Sequence, residues 1–228
     1  MAHNDDSFFR EVNEELRSDQ MKYVWARYGK VAIGVAVVIV LGTAGWRGYE
    51  YWSHSNSSKA GDQFIAALQL AADGKNDDAL KALETIEKDG SGSYPVLAQF
   101  RVASVLQAKG DSAGAVSTYD KIGKDGSVPE ALRDLAKLRA AWILIDTGTY
   151  EQVAAQAEIL SAQGHVLSNS AREALGLSAF KAGNMKQAKE WFQQIANDGQ
   201  APRNVANRAQ IMLDNITASG KAPDPAKG

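Results

Sequence analysis

From residue 60 onward, apolar side chains recur three and four residues apart in runs broken by Gly-containing stretches, the spacing of amphipathic helices. The breaks repeat: Gly74, Gly110, Gly148 and Gly183 stand 36, 38 and 35 residues apart. Five residues after these glycines come Ala79, Ala115, Val153 and Ala188. Nine after come Leu83, Tyr119, Ala157 and Phe192, and twelve after come Ile86, Ile122, Leu160 and Ile195. Seven before them stand small residues, Ala67, Ala103, Ala141 and Gly176, and four before stand Leu70, Leu106, Leu144 and Ala179. The residues on each side of a glycine share a helical face, so the pattern predicts four helical hairpins. Each glycine is expected to end its first helix in the left-handed conformation. Small residues let the paired helices approach, and larger ones fill the space between units. One hairpin cannot bury its faces alone, so the units must stack. Beyond them, Val205, Ala209, Met212, Leu213 and Ile216 make one more stripe, with Arg203, Asn207, Arg208 and Asp214 facing elsewhere. That stripe predicts a capping helix. Thr217 to Gly228 is polar and Pro/Gly-rich, the composition of a loose tail.

Upstream the pattern changes. Val31 to Trp46 (VAIGVAVVIVLGTAGW) carries no charge and is bracketed by Lys30 and Arg47. As a helix it covers roughly 24 Å, somewhat less than a hydrocarbon core of about 30 Å. Lys30 and Arg47 can snorkel, and Tyr28, Trp46, Tyr49, Tyr51 and Trp52 supply interfacial aromatics. A cleaved signal peptide is the competing reading, with Thr43-Ala44-Gly45 as its small-residue site. The 30 preceding residues carry both signs of charge, unlike a short basic leader, and favour an uncleaved anchor. Arg17, Lys22, Arg27 and Lys30 precede the span closely, against Arg47 and Lys59 after it, so the positive-inside rule puts the N-terminus in the cytoplasm. Within that N-terminal piece, Asp6 or Ser7 can cap a helix whose Phe8, Val12 and Leu16 share one face. Two readings fit it: a juxtamembrane helix on lipid headgroups, or a docking helix for a partner. Ser53 to Lys59 is a polar spacer.

Composition narrows the classes. The 228 residues carry a net charge of -2, which gives no strong field toward nucleic acid. With no cysteine there are no disulfides, thiolate metal sites or Cys nucleophiles, which suits the bacterial periplasm. His3, His54 and His165 are scattered over tail, spacer and an inter-repeat loop, so no metal site is expected. Ser178 and Lys181 form a Ser-x-x-Lys pair that reads as a packing serine beside a solvated lysine. Gly90-Ser91-Gly92-Ser93 reads as a turn, and Asp77-Asp78 as acids complementing a helix N-terminus. No catalytic constellation and no cofactor are expected.

The hairpin offsets resemble the tetratricopeptide repeat, with units Val96 to Pro129 and Asn169 to Pro202 at that family's length of 34 residues. They depart from it in placing Gln63, Gln99, Lys137 and Arg172 where its early tryptophan stands, and Ile or Leu where its late alanine stands. The whole layout, from the FFREVNEELRSDQ helix through an anchor ending in GWRGYEYW to divergent repeats, resembles tetratricopeptide-repeat-like inner-membrane proteins that are ancillary subunits of the SecYEG translocon. That resemblance implies a periplasmic repeat domain tethered beside the secretion channel, handing emerging proteins to periplasmic chaperones.

The expected fold is therefore all-α: a single N-terminal transmembrane helix, then a right-handed α-solenoid of about four divergent tetratricopeptide repeats plus a capping helix. Its parts are a cytoplasmic amphipathic helix (1–30), transmembrane helix (31–48), polar spacer (49–59), repeat domain (60–216) and tail (217–228). Expected partners are proteins (translocon subunits, periplasmic chaperones or clients) and the membrane, with no nucleic acid. Self-association as a cell-envelope structural or assembly factor is the alternative, since Ala32 and Ala36 form a small-xxx-small pair. First helices of stacked hairpins line a concave side. There Phe64, Leu68, Phe100, Leu138, Trp142, Ile145, Leu177 and Phe180 form a candidate apolar groove short of basic residues. Burial between units is the competing account of the same residues.

Overall fold

The computed structural model describes the backbone of residues 5–220 and the side chains of residues 22, 25–31, 33–51 and 58–220. Among the described residues it is all-helical, with nine α-helices, one 3-10 turn and no strand. The chain divides into two units, residues 1–56 and 57–228, with the boundary inside α1 (Asp5–Ala72). The Phe8, Val12 and Leu16 stripe, His3, the side chains of Ala32 and His54, and the tail from residue 221 lie outside the described residues.

In the first unit, Trp25–Tyr51 is a stretch of 27 residues long and apolar enough to cross a membrane; its most apolar window has a mean hydropathy of 1.8, and only 6% of that window is buried. Val38, Leu41 and Trp46 are exposed, as apolar side chains without protein cover. Arg47 pairs with Glu50 at 3.6 Å just beyond the charge-free run. The polar residues 53–59 introduce no break: the helix continues through them.

The second unit is the stack of hairpins. The end of α1 packs with α2 (Asn76–Asp89). Three more pairs follow: α3 (Tyr94–Ala108) with α4 (Ser112–Lys124), α5 (Glu130–Thr147) with α6 (Tyr150–Ala157), and α7 (Ser168–Lys181) with α8 (Met185–Ala196). α9 (Arg203–Ala218) closes the row against α8 and α7. The register positions carry the core. All twelve residues at five, nine and twelve after the repeat glycines, from Ala79 to Ile195, are buried to 3% exposure or less. The small residues seven before them are buried as well. At Gly176 the reason is visible, since a Cβ would come within 2.8 Å of the buried Phe192 ring. Val205, Ala209 and Ile216 of α9 are buried, with Met212 and Leu213 packed beside them.

Three of the four hairpin turns are alike. Gly74, Gly110 and Gly183 take φ of 76°, 86° and 79°. Around them Lys75, Asp111 and Asn184 donate to the carbonyls of Leu70, Leu106 and Ala179, each at 2.9 Å, closing the first helix with a six-to-one bond. Gly148 departs from the expected left-handed form: it is extended, at φ -119°. Here Thr149 takes over as N-cap of α6 in a reciprocal capping box with Gln152. A Cβ at Gly148 would meet Gln152 Oε1 at 2.7 Å and Leu144 Cδ2 at 2.9 Å, so a larger residue would have to move the capping Gln152 side chain. The third unit also has the shortest second helix. α6 has 8 residues, and Leu160 reaches the core from a 3-10 turn, Ile159–Ser161.

Candidate protein-binding pocket

The predicted groove residues meet different fates along the row. Phe64 stands with its ring 5.9 Å from that of Tyr94 and packs against the first cluster around Ala67 and Leu83. Leu68, on the same helix, is half-buried. The Phe100 ring meets Tyr119 edge-on at 5.7 Å and packs on the second cluster. Leu138 is buried, and Trp142 and Ile145 pack half-buried on the third cluster. Leu177 and Phe180 pack on the last.

Two of the eight, Trp142 and Leu177, are brought together as walls of an open cavity of about 390 Å³. The other walls are Glu173 of α7 and Arg208, Ile211 and Met212 of α9. Trp142 and Leu177 occupy the same repeat position, six before the glycine, on neighbouring first helices, so stacking α5 on α7 sets their side chains next to each other. α9 supplies the opposite wall. Its buried stripe faces Ala179 and Phe192, which turns Ile211, 65% exposed, toward the cavity side.

The polar part of this pocket is one ion pair. Arg208 donates from Nε to Glu173 Oε1 at 2.5 Å and from Nη2 to Glu173 Oε2 at 2.7 Å. The Glu173 side chain is 4% exposed and that of Arg208 is 50% exposed, so a buried carboxylate holds a half-exposed guanidinium. The hydrogen bonds that Arg208 donates to Glu173 raise its pKa above the ordinary value, so the cation stays charged. Arg208 lies off the apolar stripe of α9, as expected. It crosses to α7 because Glu173, a carboxylate among core positions, needs a cation there. The sequence signal was Glu173 itself, an acid at the position held by Phe64, Phe100 and Leu138 in the other hairpins.

Two larger hollows are of another kind. One of about 600 Å³ between α4 and the α5–α6 turn is edged by Asp120, Lys124 and Gln156. There burial pushes Asp120 up, but hydrogen bonds from Lys124 and Gln156 outweigh it and leave the carboxyl below its ordinary range. The other, about 930 Å³ and polar, lies between segments 163–172 and 194–202. Asp198 accepts there from the Gln200 backbone and from Asn169, and both lower its pKa.

Chemistry-bearing residues elsewhere are committed to structure. Lys181, exposed as expected beside Ser178, also donates to the carbonyls of Ile145 and Asp146 at 2.8 and 2.6 Å, tying α7 to the end of α5. A cation satisfies C-terminal carbonyls well, which is why it folds back. Ser178 is buried. His165 bonds Asp134 through Nε2 at 3.2 Å while its Nδ1 accepts from Leu167 N–H, pinning the α6–α7 loop to α5. Asp77, in the first turn of α2, is bonded by Lys109 at the C-terminal end of α3. Among the described residues no three potential metal ligands converge.

No curated relative matches the sequence. The tetratricopeptide repeat-like domain family matches residues 22–218, taking in the apolar stretch of α1 as well as every hairpin and all of α9. With the match covering most of the chain, on a stack of glycine-turned hairpins closed by a final helix, the chain belongs to the tetratricopeptide repeat-like domain family.

Proposed function

We propose that this chain is a membrane-anchored protein-binding scaffold whose partner enters the pocket between α5, α7 and α9. Tetratricopeptide repeat-like domains mediate protein–protein interactions, and their stacked helices offer extended surfaces for it. The observation that carries the reading is the cavity walled by Trp142, Leu177, Ile211 and Met212. An open apolar hollow with an aromatic residue and an arginine on its walls has the composition of an interface hot spot. In its finer form, the anchor lies in a bacterial inner membrane, with the N-terminus cytoplasmic and the repeat domain periplasmic. There it assists the secretion translocon and the handover of emerging proteins to chaperones. The span-length apolar stretch supports the anchoring, and the layout of the membrane-flanking sequences supports the translocon setting.

A photo-crosslinking residue placed at Ile211, in the full chain in native membranes, is expected to yield several-fold more protein adducts than one at the exposed Lys121 of α4. Equal yields would discard the pocket, and adducts formed solely with a second copy would move the assignment to a self-associating envelope factor. Since the chain has no cysteine, single cysteines at Gln200 and Ser18 report sidedness to a membrane-impermeant maleimide. Labelling of position 200 alone in intact spheroplasts is expected; the reverse pattern ends the periplasmic assignment.

A further inference from the structure

We propose that the α5–α7–α9 pocket reads a helix presenting a large apolar side chain and, one turn away, a carboxylate. The inference rests on the scaffold reading above and adds the chemistry of the partner.

Its first ground is the state of Arg208. A guanidinium has five N–H donors, and Glu173 takes two of them, one on Nε and one on Nη2. Three remain on a side chain that is half exposed on the wall of an otherwise apolar hollow. The bidentate pair fixes the plane of the group, so little side-chain entropy is lost when a further acceptor arrives. A carboxylate is the acceptor that gains most from such a group, because both the charge and the paired donor geometry are used. A basic partner finds no counterpart here, since both oxygens of the buried Glu173 already accept from Arg208.

The second ground is register. Arg208 lies three and four residues before Ile211 and Met212 on α9, one helical turn. A helix laid along α9 therefore meets cation and apolar wall with its own residues three or four apart. A partner strand has nothing to join, because among the described residues there is no sheet edge to extend. The occupant is thus an amphipathic helix, with its apolar residue against Trp142, Leu177 and Met212 and its Asp or Glu on Arg208.

The test is a selection from a display library of randomised helical peptides on the full-length protein in detergent. It is repeated on the Trp142→Ala variant and on the Glu173→Gln/Arg208→Gln double variant, which removes the cation without leaving a buried charge unpaired. Wild-type protein should enrich peptides with a large apolar residue and an acidic one three or four positions apart. The double variant should keep the apolar preference and lose the acidic one. In an enriched peptide, Glu→Gln should weaken binding to wild-type protein about fivefold, the scale of a half-exposed ion pair, and leave binding to the double variant within about twofold. The peptide change needs no altered protein, so it decides the matter even where a variant folds poorly. Apolar enrichment with no acidic preference on wild-type protein overturns this inference and leaves the scaffold reading standing. Enrichment that is absent, or unaltered by Trp142→Ala, overturns both.

Discussion

The two ends of the first-helix row use aromatic residues at related positions in opposite ways. Toward the N-terminal side, Phe64 and Phe100 stand ten before their glycines and find rings within the fold, Tyr94 and Tyr119. Toward the C-terminal side that position is held by Leu138 and Glu173, and the aromatic residue Trp142 stands six before its glycine, on the wall of an open cavity. A Phe tucked against a Tyr spends its surface on packing between units. A Trp beside an unfilled hollow keeps surface for something else. On the proposed reading, the same helix face of divergent repeats serves stability at one end and recognition at the other. The residue supplied by the neighbouring unit decides which.

The comparison can be broken most forcefully by Phe100→Ala, which should cost about 3 kcal/mol of unfolding free energy, the range for truncating a core aromatic, while leaving pocket-dependent binding intact. Denaturant unfolding checks the first part and adduct yield from Ile211 the second. Gly176→Ala should cost about 2 kcal/mol by overpacking, since its methyl group would press on the enclosed Phe192 ring below the helix that carries Glu173 and Leu177. Arg208→Ala comes next, at about 2 kcal/mol or less, because it strands the buried Glu173 carboxylate. The Glu173→Gln/Arg208→Gln double variant should fall within about 1 kcal/mol of wild type, as neutral replacement of both partners does. A larger loss in the double than in the single variant would show that the pair holds the fold together rather than presenting a cation.

Acid gives the smallest effect. Asp120, pushed up by burial but brought below its ordinary value by Lys124 and Gln156, is joined by Asp198, lowered by the Gln200 backbone and Asn169. Carboxyls with depressed folded-state pKa values bind protons more weakly folded than unfolded. Their contribution is present above the ordinary value of 3.8 and is lost as the pH falls through and below it. Thermal melting should therefore be insensitive to these groups near neutrality and decline below about pH 3.8. Asp120→Asn should flatten part of that decline.

Much of this fold was legible because its constraints are local and repeat. The residues five, nine and twelve after each glycine are core because a helical period puts them on one face, and every one of the twelve is buried. Gly148 was not legible as a fourth copy of the left-handed turn, because Thr149 and Gln152 cap α6 and remove the need for it. Thr149-x-x-Gln152 is the sequence signature of that cap. The pocket was half legible. Trp142 and Leu177 follow from the repeat register. Ile211 and Arg208 come from the exposed face of a helix outside the repeats, which no periodicity constrains, whereas Met212 belongs to that helix's apolar stripe. The acceptors of Lys181 were hidden for a related reason: they lie 35 and 36 residues away, on α5.

The central claim is that recognition sits at the Trp142 end and not at the Phe100 end. The most direct measurement is the yield of protein adducts from a crosslinker at Ile211, in the full chain in native membranes, with Trp142→Ala or Phe100→Ala introduced beside it and the unfolding free energy of each protein determined in parallel. The account predicts that Trp142→Ala removes most adducts for a small stability loss, whereas Phe100→Ala costs more stability and keeps them. Adduct loss that simply follows stability loss in both variants would contradict it.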